Sequence, residues 1–289
     1  MKSVAILTMV YDDDIYLKIW LSYWEKFVPR SNLYVLIHAD YGHYEQMASG
    51  CNTIRIARPP MHAGSEVSRW KMLSSLASGL TLMFDRVIYT DVDEIIALDP
   101  KHGNNPIDYI LDRPEPVVSP FGVDLVEPIE LDLPAIDLSR PILSQRSFVA
   151  CNPPYSKPCI ISDPVIWGTG GHFINREEIY LSDALVLFHL KLFDKLTYRE
   201  RAAKRKAMVT DPETGELIMG PGGKEWMRTD EFHEYTIESR QPINNIDFRR
   251  PRKKWLESAK FNRRSGVWRR SGRSHKQLHR IPERFDNVF

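Results

Sequence analysis

The chain has 289 residues, of which 43% are hydrophobic and 27% are charged, enough to bury the core of one large domain or of a domain with an appendage. No apolar run approaches the roughly 20 residues that span a bilayer, and acids directly follow the N-terminal apolar run, so we expect a first β-strand there and not a signal peptide. The three cysteines form no CxxC pair, which predicts a reducing, cytoplasmic location.

Strands and helices alternate over the first third of the chain. The predicted strands are 3–11, 32–40, 52–60 and 86–94, and the predicted helices are 15–28 and 65–84. Near-continuous apolar strands that are separated by helices are typical of a mainly parallel sheet with helices on both faces. The sequence therefore predicts an α/β, Rossmann-like fold.

The pattern of apolar residues is less regular after the first third of the chain. Two further strands with tight turns are predicted over 116–128 and 164–175, an apolar strand over 184–194 and a helix over 195–208. Residues 210–226 have no regular period and are predicted to form a mobile loop.

Charge is distributed unevenly along the chain. The net charge is +1, but residues 249–284 hold 14 Lys and Arg against two Glu, so this segment carries +12 and the remainder −11. We therefore predict a catalytic domain over 1–209, a connecting segment over 210–248 and a basic C-terminal extension over 249–289.

Acidic side chains follow several of the predicted strands, in the stretches "YDDD", "HAD" and "TDVDE". Ligands of parallel sheets bind beyond the carboxyl ends of the strands. Asp91 and Asp93 are spaced by two residues between buried apolar segments, and paired carboxylates of this kind suit Mg²⁺ or Mn²⁺. Because D-x-D is short and common, the alternative is that both acids end a strand and face water.

Three segments together, "VAILTMVYDDDIYLKIWLSYW", "NLYVLIHAD" and "VIYTDVDEIIAL", resemble nucleotide-sugar glycosyltransferases of the GT-A fold, close to the family 2-like group. The resemblance covers roughly residues 1–195. It implies transfer of a sugar from a nucleotide sugar, expected to be UDP-linked, to a glycan or lipid-linked acceptor. It also implies a Mn²⁺ or Mg²⁺ cofactor and inversion at the anomeric carbon.

The resemblance implies roles for individual residues. Asp93 would bind the metal directly, and Asp91 would belong to the same site, in contact with the ribose or a metal-bound water. The further nucleotide-binding positions that it implies are Tyr11, Asp13, Asp40, Arg69 and Lys71.

Two residues of the late apolar strand complete the expected donor site. His189, within "LVLFHLKLF", is either a hydrogen-bonded core histidine or a third metal ligand, the role that the resemblance implies. Lys191 lies on the same strand face by the two-residue period and could contact a phosphate. The general base of an inverting transfer has two candidates, Asp163 and Asp124, because the Glu-Asp pair typical of the family is not visible.

The basic C-terminal segment interleaves tryptophans with arginines. Between residues 249 and 284 this composition favours peripheral contact with anionic membrane lipids. Binding to nucleic acid is the less favoured partner class, since the rest of the chain is acidic. A D-x-D phosphatase is the alternative enzyme class, although its first Asp would be expected nearer the N-terminus.

Overall fold

The computed structural model describes residues 3–38, 40–59, 62, 64–211, 213–214, 216, 244–262, 267–270 and 277–289. Most of the loop predicted over 210–226 lies outside these residues. The described strands are β1 Val4–Val10, β2 Leu33–Ile37, β3 Asn52–Arg55, β4 Arg86–Tyr89, β5 Glu94–Leu98, β6 Val117–Val126, β7 Phe148–Cys151, β8 Ile160–Ile161, β9 Tyr180–Leu192, β10 Ala259–Asn262, β11 Val267–Arg270 and β12 Leu278–Arg280. The described helices are α1 Asp14–Trp24, α2 Tyr41–Met47, α3 Ser65–Leu80, α4 Pro106–Leu111, α5 Ile142–Gln145, α6 Lys195–Val209 and α7 Arg249–Ser258.

The first four strands form the parallel half of the main sheet, in the order β3-β2-β1-β4. Every residue of β1 is buried, as expected of a strand that is covered on both faces. α1 buries Trp20 and Trp24 against this half, and Trp20 Nε1 donates to Thr90 Oγ1 over 2.9 Å. That bond ties α1 to the end of β4, directly before the D-x-D pair.

Antiparallel strands from the middle of the chain extend the sheet. β8 runs antiparallel to both β4 and β6, and β7 runs antiparallel to β6. β9 lies parallel to β6 and antiparallel to β5, the strand that follows the D-x-D pair. The predicted α/β fold, with a parallel sheet region flanked by helices, is confirmed. The antiparallel strands extend this sheet on the side of β4.

The C-terminal segment belongs to the body of the fold. β12 pairs antiparallel with β7 at the edge of the sheet. Phe285 is fully buried, and Phe289 packs edge-on against Tyr23 with a ring-centroid distance of 5.9 Å. The sheet and the core therefore both use residues beyond residue 209, where the predicted catalytic domain ends.

Helix α7 packs one face against the same body. Arg252 and Trp255 are buried, and Trp255 Nε1 donates to the carbonyl oxygen of Pro153 over 3.2 Å. Among the described residues, no helix has the length and apolar composition that crossing a membrane requires.

Candidate active site at the carboxyl edge of the parallel strands

A cavity of about 650 Å³ opens at the carboxyl ends of β1 and β4, the edge at which parallel sheets bind ligands. Its volume lies within the roughly 300–1,000 Å³ of small-molecule sites. The walls come from the end of β1 with the turn after it, the D-x-D segment, the start of α3, the turns around Asn152–Lys157 and 169–172, the end of β9, and α6. Four of its carboxylates, which we call the acidic wall, are Asp12, Asp13, Asp91 and Asp93.

Asp91 is held by three neighbours. Its carboxylate accepts hydrogen bonds from Lys157 Nζ over 2.8 Å and from Tyr89 Oη over 3.0 Å, and Arg69 Nη1 lies 3.6 Å away. Burial alone would raise the pKa of Asp91, but the charges of Lys157 and Arg69 lower it to about 2. Lys157 also bonds to the buried Glu94, so one ammonium bridges two carboxyl groups of the D-x-D segment.

Asp93 faces a different set of cations. Its Oδ2 accepts from Arg201 Nη1, and the same oxygen lies 3.5 Å from His189 Nε2 and 3.9 Å from Arg205 Nη2. Burial opposes the ionised form, but Arg201 and His189 hold the pKa of Asp93 well below its ordinary value. Arg201 also donates to Asp13 Oδ2 over 2.9 Å and so joins the turn after β1 to the D-x-D segment.

His189 is fixed by strand register. β9 lies between β6 and β5, with His189 paired to Asp124 on one side and to Glu94 on the other. Its Nδ1 donates to Asp124 Oδ1 over 2.8 Å, and the ring stacks on Tyr155 with a centroid distance of 3.9 Å. Burial would lower the pKa of His189, but Asp124 and Asp93 raise it to about 9.

The geometry of Asp93 and His189 fits a divalent cation. Their 3.5 Å separation is close to the roughly 3 Å between adjacent ligands of an octahedral ion. The bond from Nδ1 to Asp124 is the carboxylate contact that orients metal-binding histidines. No group of three His, Cys, Asp or Glu in the described part of the chain is arranged to hold an ion.

Another part of the cavity lining consists of planar side chains. The guanidinium of Arg58 lies 3.4 Å from the ring centroid of Tyr11, and His38 meets that ring edge-on at 6.3 Å. Arg58 also contacts Met208 of α6, with Nη2 3.0 Å from the sulfur. Planar side chains of this kind suit a nucleobase, which stacks on aromatic rings and guanidinium planes.

Most of the predicted site residues meet at this cavity. Those that line it are Tyr11, Asp13, Arg69, Asp91, Asp93, Asp124, His189 and Lys191. Their roles stay predictions. Arg69 is fixed by Glu66, whose Oε1 lies 2.6 Å from Arg69 Nη2. Asp124 also accepts a bond from Asn152 Nδ2 over 2.8 Å, so both of its oxygens are engaged.

Three predicted residues are not brought to the cavity. Asp163 follows β8, which runs antiparallel to β4, so it lies at the opposite edge of the sheet, where Arg176 pairs with it over 3.1 Å. Its prediction as general base does not fit that position. Lys71 is two positions beyond Arg69 on α3 and so points to another helix face, where it is exposed. Asp40 is exposed before α2.

Several cavity residues were not singled out from the sequence. Lys157 lies three residues before the first residue of β8, and the antiparallel course of β8 brings it to the D-x-D segment. Arg201, Lys204 and Arg205 all lie on the cavity side of α6, and we call these three the basic face of α6. Their i, i+3 and i+4 spacing places all three on one face of the helix, and this could have been noticed in the sequence. The sequence alone does not show which face of α6 lies against the cavity.

Comparison with known proteins adds nothing to what the geometry shows. No protein-family model matches the chain, and no curated protein matches it. One similar solved structure is described as mannose-1-phosphate geranyltransferase from Thermus thermophilus, with 14% identity and a TM-score of 0.30 over 42% of this chain and 41% of that one. A second, described as a mycobacterial protein, has 14% identity and a TM-score of 0.28 over 45% and 44%. The chain thus spans less than half of either structure, and neither bears on its function.

Proposed function

We propose that the chain is a metal-dependent glycosyltransferase that moves a sugar from a nucleoside diphosphate sugar to an acceptor hydroxyl. The observation that carries the proposal is one cavity that is lined both by the Asp93–His189 pair and by the planar side chains of Tyr11 and Arg58. The first suits a cation on a diphosphate, and the second suits a base. The resemblance of the N-terminal segments to GT-A glycosyltransferases points to the same chemistry.

Asp93 and His189 would hold the metal, Mn²⁺ or Mg²⁺, with Asp124 orienting the imidazole through Nδ1. When bound, such an ion supplies Lewis-acid stabilisation of a diphosphate leaving group. Asp91 is less suited to direct ligation, because Lys157 and Tyr89 already bond to its carboxylate. We assign Asp91 to the ribose or to a metal-bound water.

The transfer breaks the bond between the anomeric carbon and the diphosphate oxygen, which keeps the electron pair. The acceptor oxygen forms the new bond to that carbon, and its proton passes to the solvent. Binding donor and acceptor in one cavity makes this step effectively unimolecular. Of the two predicted bases only Asp124 is present there, and its bond to His189 gives it the role of positioning the histidine.

Turnover of nucleotide sugars tests the proposal. UDP-, GDP- and CDP-linked hexoses are incubated with the full chain in Mn²⁺ or in EDTA, and the released nucleoside diphosphate is measured. A phosphomonoester incubated in parallel tests the phosphatase alternative. We expect Mn²⁺-dependent release from one donor class, and a thermal shift with the same nucleotide. Turnover of the phosphomonoester alone would contradict the proposal.

For the acceptor we propose a lipid-linked glycan at an anionic membrane surface. The support is α7, which buries Arg252 while its remaining cations are exposed: Arg249, Arg250, Lys253 and Lys254. Each cation near such a surface contributes about 1 kcal/mol, screened by salt. Co-sedimentation with anionic and neutral liposomes across a salt series tests this. Equal recovery with both liposome types at low salt would contradict it.

A further inference from the structure

Helix α6 places its charge toward the cavity. The three residues of the basic face of α6 all line the cavity, whereas Lys206 of the same helix is exposed outside it. The start of the helix is anchored by Asp194, whose side chain accepts from the Thr197 backbone N–H over 2.9 Å and pairs with the buried Arg146 over 3.2 Å. These contacts fix the position of the basic face of α6 near the carboxyl ends of β1 and β4.

The basic face of α6 is bound to the acidic wall. Arg201 bonds to Asp13 and Asp93, and Lys204 Nζ lies 2.7 Å from Asp12 Oδ1. Lys204 and Asp12 are about half exposed, at 51% and 47%, so this pair is weak and open to exchange with another anion.

Asp93 Oδ2 is the atom at which two cations would compete. It accepts from Arg201 and also faces His189 Nε2, the nitrogen with which it would share a divalent ion. A guanidinium and a divalent ion against one oxygen repel each other strongly in a buried site. Arg201 would therefore leave Asp93 when the ion binds. Asp13 still pairs with this buried guanidinium, and a second anion within reach would replace the contact that is lost.

We propose that the basic face of α6 is the diphosphate-binding surface of the donor site. Lys204 and Arg205 bind phosphate oxygens, and Arg201 transfers from Asp93 to the diphosphate as the cation binds. This assignment rests on the proposed function for its natural ligand, but it predicts an anion site that can be measured without turnover. Charge-assisted bonds from guanidinium and ammonium groups are the usual means of holding phosphates. The same groups stabilise the charge that develops on the departing nucleoside diphosphate.

The experiment is calorimetric titration of inorganic pyrophosphate into the full chain in EDTA and low salt. Lys204→Gln and Arg205→Gln each remove one charge, and Lys206→Gln is the matched control on another face of α6. We expect each cavity variant to weaken pyrophosphate binding about tenfold, while the control stays within about twofold. Equal affinity in wild type and in both cavity variants overturns the inference, as does an equal loss in the control.

A second titration tests whether the Arg201 guanidinium moves from Asp93 to the bound anion. The wild type should bind Mn²⁺ more tightly when pyrophosphate is present, since the anion stabilises the displaced guanidinium. In Arg201→Gln, Mn²⁺ alone should bind more tightly than in wild type, because no cation has to leave Asp93. Unchanged or weaker Mn²⁺ affinity in that variant contradicts the transfer. Should Arg205→Gln fail to fold, Lys204→Gln tests the anion site alone.

These outcomes separate the inference from the proposed function. If nucleotide sugars are turned over but pyrophosphate binding does not depend on α6, the diphosphate assignment is wrong and the function stands. If pyrophosphate binding depends on α6 but no nucleotide sugar is turned over, the anion site stands and the function is wrong.

Discussion

The acidic wall and the basic face of α6 oppose each other across one cavity, and they differ in how they are held. Asp91 and Asp93 follow a fully buried strand, and Asp93 is only 5% exposed. Lys204 and Arg205 extend from a helix on long side chains that are 51% and 23% exposed. Asp93 is therefore fixed in place, whereas Lys204 can exchange one anion for another.

Lys157, like Arg201, is a buried cation bonded to two carboxylates, and both of its partners belong to the D-x-D segment. Lys157→Met should leave Glu94 without its ion-pair partner and Asp91 with Arg69 alone, and lower the free energy of unfolding by about 3–5 kcal/mol, the largest effect we expect. Urea unfolding measures it, with the exposed Lys71→Met as the control. A loss equal to that of the control would place Lys157 among the exchangeable cations.

Asp93→Asn tests the fixed side of the comparison. The amide keeps an oxygen for Arg201 but loses the charge that a divalent ion needs, so Mn²⁺-dependent turnover should fall about a hundredfold or more. The melting temperature of the metal-free protein should change little by comparison. The idea fails if Asp93→Ala and Asp91→Ala both retain wild-type turnover.

Asp124→Asn should have a smaller effect on the same site. Without a carboxylate on Nδ1, His189 is less well oriented and less basic as a ligand, and Mn²⁺ affinity should fall about 10- to 100-fold. Titration with Mn²⁺ alone measures this without turnover. The matched control is Asp163→Asn at the opposite edge of the sheet, which should leave both Mn²⁺ affinity and turnover unchanged. Loss of turnover in the control would restore Asp163 as the base.

Arg284 and Asp99 form an ion pair outside the cavity that attaches the C-terminal segment, through bonds of 2.6 and 2.9 Å. Arg284→Met should cost about 1 kcal/mol, the smallest effect here. Burial would raise the pKa of Asp99, but Arg284 and the Lys101 backbone N–H hold it below its ordinary value.

The sign of the pH dependence follows from that lowered pKa. The stabilisation by Arg284 is present above the ordinary Asp pKa of about 3.9 and is lost as pH falls through the lower folded value. The difference in unfolding free energy between wild type and Arg284→Met should therefore shrink below about pH 4. If the difference in unfolding free energy stays constant down to about pH 2, the stabilisation comes from packing of the Arg284 side chain and not from its charge.

The parallel half of the sheet was predictable because its signals are local. Continuous apolar strands that end in acids identified β1, β2 and β4, and the two-residue period placed His189 and Lys191 together at the cavity. Asp93 and His189 could be named because strand ends converge at one edge of such a sheet.

The basic side could not be predicted, because strand direction and helix orientation decide it. Lys157 lies in a proline-rich segment without a period, and only the antiparallel course of β8 brings it to Asp91 while taking Asp163 away. The C-terminal segment was misassigned for a similar reason. Its high charge hid Phe285 and Phe289, which the core needs.

Calorimetric titration of UDP into the full chain, with and without Mn²⁺, tests the central claim most directly. Wild type should bind UDP at least about tenfold more tightly in Mn²⁺, because the ion joins the diphosphate to Asp93 and His189. That gain should disappear in Asp93→Asn. UDP binding that is insensitive both to Mn²⁺ and to Asp93→Asn, with GDP and CDP behaving alike, would contradict the account.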